Sequence, residues 1–231
     1  MPNRKVMEAA AETRRQARPR AKRIYNKHHA QVRDSIRRLA GPTQEEHDAA
    51  FDLLASMGEF IVPELLQALA DPDLDPIAAD EVVSLLGTTG DERAVEPLWE
   101  LLQANLDDEE RLYTAALSLA GLGDERVRPY LRQGLESDNE EYVANAAIGM
   151  ILVGCREDIP LLRRVHRLHR ANVDIRMGIA NAVLTILGEE RQHILNRTLD
   201  EIQGSFADRD LWDDIWGILD SAFGTGHHTL H

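Results

Sequence analysis

Gly90–Gln103, GDERAVEPLWELLQ, and Gly123–Ser137, GDERVRPYLRQGLES, open on the same four residues 33 positions apart. Each then runs through a valine and a proline into a leucine-bearing segment. A catalytic signature has no need of a second copy, whereas a unit of construction does, so recurrence of this pattern decides the fold. It does recur. Glycines fall at Gly58, Gly90, Gly123, Gly154 and Gly188, and prolines at Pro63, Pro97, Pro129 and Pro160, both at intervals of 31–34 residues.

Ahead of each glycine lies an alanine- and leucine-rich segment with helical spacing: DAAFDLLASMG, AADEVVSLLGTTG, YTAALSLAGLG, VANAAIGMILVG and RMGIANAVLTILG. These segments are too apolar all round to face water, so they must be sandwiched between neighbours. Behind each glycine comes a second amphipathic segment that ends in a polar turn such as ADPDLDP or ESDNEE. The period predicts a two-helix hairpin. Glycine suits the left-handed position after the first helix, and proline is tolerated in the first turn of the second. Thr43 and Asp75 read as N-caps of the first helices in the first two hairpins. The expected fold is an all-α solenoid of about five stacked hairpins over residues 43–204, with units near 43–76, 77–108, 109–140, 141–172 and 173–204.

The run GDERAVEPLWELL resembles the HEAT-like repeat of bacterial proteins and phycobilisome (PBS-type) lyases. That repeat has an Ala/Leu-rich helix, a Gly-Asp pair, and a second helix opened by valine and proline. The resemblance covers residues 44–204. It implies an array serving as a recognition surface, with the second helices lining its concave side. Two units depart from the pattern. The fourth, GCREDIPLL, lacks aspartate after its glycine, and the fifth, GEERQHILNRTL, lacks the proline. No lyase-specific residue carries over.

Composition agrees with a helical, non-enzymatic reading. Alanine and leucine dominate, and aromatics make up only 5% of the chain. The single cysteine, Cys155, excludes an intrachain disulfide framework and reads as an inert thiol. There is no phosphate-binding glycine loop, nucleophile elbow or HExxH motif, so no catalytic residue, metal or cofactor is expected. No apolar run is long enough to span a bilayer and no secretory leader is legible, which makes the cytoplasm the expected location.

Charge divides the chain in two. Residues 1–40 hold 12 basic and 3 acidic groups, whereas residues 41–231 hold 14 basic and 37 acidic ones. Residues 1–42 form a basic arm. Pro19 is expected to interrupt it, and a thin apolar stripe (Ile24, His28, Val32, Ile36, Leu39) follows. Arg14, Arg15, Arg18, Arg20, Lys22, Arg23, Tyr25 and Lys27 are its candidate docking residues. An acidic protein surface suits them first, on this chain's own first two repeats or on another copy. Nucleic acid comes behind it, and an anionic membrane last.

The fourth repeat carries a local basic island, PLLRRVHRLHR. Arg163, His166, Arg167 and Arg170 share one helical face, with Arg164 beside them, and form a candidate groove site for an acidic peptide or anion. Residues 205–223 read as a capping helix. Residues 224–231, with His227, His228 and His231, read as a flexible tail. Together these features predict a scaffold or adaptor that binds a protein partner of unknown identity. A lyase- or chaperone-type accessory subunit and an arm-mediated nucleic-acid-associated protein are the alternatives.

Overall fold

A computed structural model describes residues 4–169 and 171–187. Eleven α-helices and no strand occur among the described residues. Two helices precede the repeats: α1 (Arg4–His28) and α2 (Val32–Arg38). Four hairpins follow: α3 (Gln44–Ala55) with α4 (Val62–Leu69), α5 (Pro76–Thr89) with α6 (Val95–Ala104), α7 (Glu109–Gly121) with α8 (Arg128–Gly134), and α9 (Glu140–Val153) with α10 (Ile159–Leu168). Next comes α11 (Val173–Leu187), the first helix of a fifth unit. The second helix of that unit, the expected capping helix 205–223, the tail 224–231 and Arg170 lie outside the described residues.

The first helices begin on a repeated cap. Thr43, Asp75, Asp108, Asn139 and Asn172 each accept a hydrogen bond from a backbone N–H two or three residues on, at 2.9–3.3 Å. Each bond satisfies one of the donors that a helix start leaves open. Small residues then let neighbouring first helices approach closely. A Cβ on Gly87 would lie 2.6 Å from the Ser118 Cα, and one on Gly121 would lie 2.7 Å from the Gly87 carbonyl. Leucines fill the space between the layers: Leu54, Leu65, Leu86, Leu98, Leu102, Leu119 and Leu131 are all buried. The core is therefore a continuous strip along the stack, as expected when each hairpin buries its faces on the next.

The Gly-Asp-Glu-Arg motif has a local explanation. Gly90 and Gly123 adopt φ of 67° and 84°, a conformation that costs glycine little, and so reverse the chain after the first helix. Asp91 and Asp124 then cap a single 3-10 turn by accepting from the N–H of Arg93 and Arg126 at 2.9 Å. The two arginines fold back onto the same carboxylates, with Nη2 to Oδ2 distances of 2.6 Å, and reach the preceding repeat. Arg93 donates to the Glu59 carbonyl and Arg126 to the Glu96 carboxylate. The motif is thus a turn, a cap and a stitch between repeats.

Repeat four departs from this pattern. Gly154 has φ −62°, not the left-handed value expected of it. Glycine is needed there for space, since a Cβ would lie 2.4 Å from the Met150 carbonyl oxygen. Asp158 takes over the missing aspartate's work from three residues downstream. It accepts from the Cys155 N–H at 2.8 Å and the Cys155 thiol at 3.1 Å, and it receives Arg132 Nε of repeat three at 2.6 Å.

Pro19 does not interrupt the arm, because α1 runs through it. The proline sits on the exposed side of the helix, where the lost N–H bond faces water, while Ala21 packs against the Gly58 turn. After it, α2 buries Val32, Ile36 and Leu39 against the first repeat. That end of the stack is thereby closed to solvent.

Candidate interaction surfaces

The inward seam of α1 is Met7, Ala10, Arg14, Ala17, Ala21 and Ile24, and it lies across the glycine turns of the first three repeats. The Ala21 Cβ is 3.6 Å from where a Gly58 Cβ would be, the Arg14 guanidinium fills that place at Gly90, and the Met7 Cε lies 2.6 Å from it at Gly123. The three contacting residues are seven apart, about 10.5 Å along a helix at 1.5 Å per residue, which matches the distance between packed helices. The stride of the arm therefore equals the stride of the repeats.

Polar contacts fix this seating. Arg18 Nε pairs with Glu59 at 2.8 Å, and its guanidinium lies 5.7 Å from the Phe60 ring centre. The Tyr25 hydroxyl donates to Glu64 at 2.6 Å, a bond that, with partial burial, raises the tyrosine's pKa. Arg14 and Arg18 also line a cleft of about 390 Å³ between α1 and the turns of repeats one and two, opposite Phe60 and Thr89. Of the other arm residues, Arg20 is exposed and also lines this cleft, Arg15 pairs with Glu12 of its own helix, and Lys22, Arg23 and Lys27 are exposed.

On the second-helix side, the basic island divides. His166 is buried, 3% exposed, beside Leu162 and Val165, so it belongs to the core and not to an exposed anion site with the arginines. Arg163 is half-buried. Arg164 and Arg167 are exposed next to Leu168, which is 74% exposed, and Arg164 is paired with Glu136 of repeat three.

A cluster that the sequence reading missed lies on repeats two and three. Arg126 covers the Trp99 ring at 4.4 Å, Tyr130 meets Trp99 edge-on at 6.2 Å, and Gln103 donates to the Tyr130 hydroxyl at 2.8 Å. Its signal was Trp99 and Tyr130 just behind equivalent prolines, Pro97 and Pro129, where successive second helices bring them together.

Residues 62–152 match the family model for HEAT repeats. This part of the chain is built of HEAT-like repeats. The matched region runs from α4 to the end of α9 and contains both Gly-Asp-Glu-Arg turns. No curated protein matches the chain. HEAT repeats generally mediate protein–protein interaction.

Chemistry on this HEAT-like array is sparse. Among the described residues no group of three or more His, Cys, Asp or Glu side chains is arranged to hold a metal, and no helix is long and apolar enough to cross a membrane. Burial, helped by hydrogen bonds to Glu157 and Asp158, pushes the Cys155 thiol up to about 11, which leaves it a poor nucleophile at neutral pH.

Proposed function

We propose that this protein is a non-catalytic scaffold or adaptor that holds a protein partner along the exposed ridge of its second helices, the side that the HEAT resemblance puts on the concave face. The observation that carries the reading is the stripe Arg164, Arg167 and Leu168 on α10. A leucine kept 74% exposed beside two guanidinium groups fits an acidic segment bearing an apolar side chain. On the equivalent helix of repeat two Glu100 is exposed, and Glu96 is paired with Arg126 of repeat three. The seam of α1 supports this role by clamping the first three repeats into one rigid platform.

The test is affinity capture from the native organism with full-length wild type and with R164E/L168S and R167E/L168S variants. Loss of a specific partner from the variants, with helicity unchanged by circular dichroism, supports the reading. Identical partner lists overturn it.

A further inference from the structure

The outward side of α1 remains unabsorbed by this reading. Arg20, Lys22, Arg23 and Lys27 are exposed, and among the described residues none of them meets a carboxylate. Arg20, Arg23 and Lys27 stand at i, i+3 and i+7 and so share one face of the helix. Side-chain entropy and solvation keep isolated surface cations in water, but three on one helix face form a ridge of potential with no counterpart of its own.

The counterpart has to be sought across the molecule. In a stack of hairpins, the turns from first to second helix lie on one edge and the turns from second to next first helix on the other. The arm covers the first edge. The second edge is acidic at every step from repeat one to repeat four. Asp71 and Asp73, then Asp107 and Glu110, then Asp138 and Glu141 are all exposed, and none is in an ion pair among the described residues. The two edges are separated by the helices between them, and the 14 residues of α5 span about 21 Å. The ridge of α1 cannot reach that edge of its own chain.

We infer that the outward cationic face of α1 docks on the acidic turn edge of a second copy of this chain, joining copies edge to edge. Register supports this occupant as well as sign. Arg20 and Lys27 are seven residues apart on one face, about 10.5 Å along the helix. The acidic turns recur at the repeat spacing, which the inward seam of the same helix already matches. A nucleic-acid duplex carries a charge about every 3.4 Å along each strand, a spacing that calls for no such stride, and the strongly acidic repeat body repels it. The contact uses different surfaces on the two copies, so it is heterologous and propagates unless a rotation closes it.

Sedimentation velocity on the full-length chain at about 50 mM and about 500 mM NaCl tests the inference, because exposed ion pairs weaken as the Debye length shrinks. Concentration-dependent association at low salt, at least about tenfold weaker at high salt, is the expected result. The R20E/R23E/K27E variant and the D107K/E110K/D138K variant should each stay monomeric with wild-type helicity, and mixing the two should restore association. A wild-type chain that stays monomeric at low salt overturns the inference. So does association that survives either variant, or a mixture that does not associate. Binding of labelled duplex DNA by Arg20, Arg23 and Lys27 in a chain that does not self-associate would overturn it too, and would assign the ridge to nucleic acid.

Discussion

Replacing Asp158 by alanine isolates the device that substitutes for the missing aspartate of repeat four. Asp158 is 1% exposed and accepts from Cys155 N–H, Cys155 Sγ–H and Arg132 Nε, with Arg128 Nε at 4.0 Å. Removing the carboxylate deletes a cap, worth about 1 kcal/mol, and leaves the half-buried Cys155 N–H unsatisfied at about 1–2 kcal/mol. Stranding a buried partner charge would cost about 3–5 kcal/mol, but that applies only in small part here. The Arg132 side chain is 42% exposed and turns to water once its partner is gone. The expected loss is about 3 kcal/mol, or about 6–12 °C in the unfolding midpoint for a chain of this size. Urea unfolding followed by circular dichroism measures it. Hydrogen exchange locates it, with faster exchange expected from the end of α9 through α10 and little change in repeats one and two, because repeat stability is local. A D158A variant within about 0.5 kcal/mol of wild type, or exchange that rises uniformly, would refute the argument.

Other perturbations read different parts of the structure. Gly90→Ala places a methyl 2.2 Å from the Arg14 Nε at φ 67°, whereas at Gly58 the nearest arm atom is 3.6 Å away. G90A should therefore cost about 1–2 kcal/mol and expose residues 4–28 to limited proteolysis, while G58A costs the backbone term and leaves the arm seated. His47 bonds Asp48 and Glu81, each at 3.1 Å, and these bonds raise its pKa above 6.5. A raised pKa stabilises the fold below 6.5, and that stability is lost as pH climbs through the folded value. Between pH 6 and 8 stability should fall, and the slope should flatten in H47Q; a pH-independent His47 resonance would contradict this. With its pKa near 11, Cys155 should react with iodoacetamide at pH 8 about a hundredfold more slowly than an ordinary thiol, and D158A should speed it.

The sequence made the architecture legible because its signals were backbone requirements. Three of the spaced glycines need positive φ, Asp75 and Thr43 cap helices, and the prolines open second helices, so each reports geometry without a neighbour's help. What it concealed depends on neighbours. Ahead of Ile24 the arm's inward seam is alanines, a methionine and an arginine, which make no apolar stripe. They dock because the residues opposite are glycines with no side chain, and no helical wheel of α1 contains that fact. His166 was assigned by charge to a face with Arg163 and Arg167. The spacing Leu162, Val165, His166 assigns it to the core, and burial of the two aliphatic residues decided between them. Gly154 followed the period while its backbone did not, because Asp158 reorganised the turn from three residues away. The split of the basic island between core and solvent was therefore readable only in part.

The helix laid across the glycine turns also fixes a spacing. Met7, Arg14 and Ala21 are separated by two steps of seven and meet three successive turns. The helix acts as a ruler for those three modules, and a change in length among them would have to be matched by a heptad added to or cut from the helix.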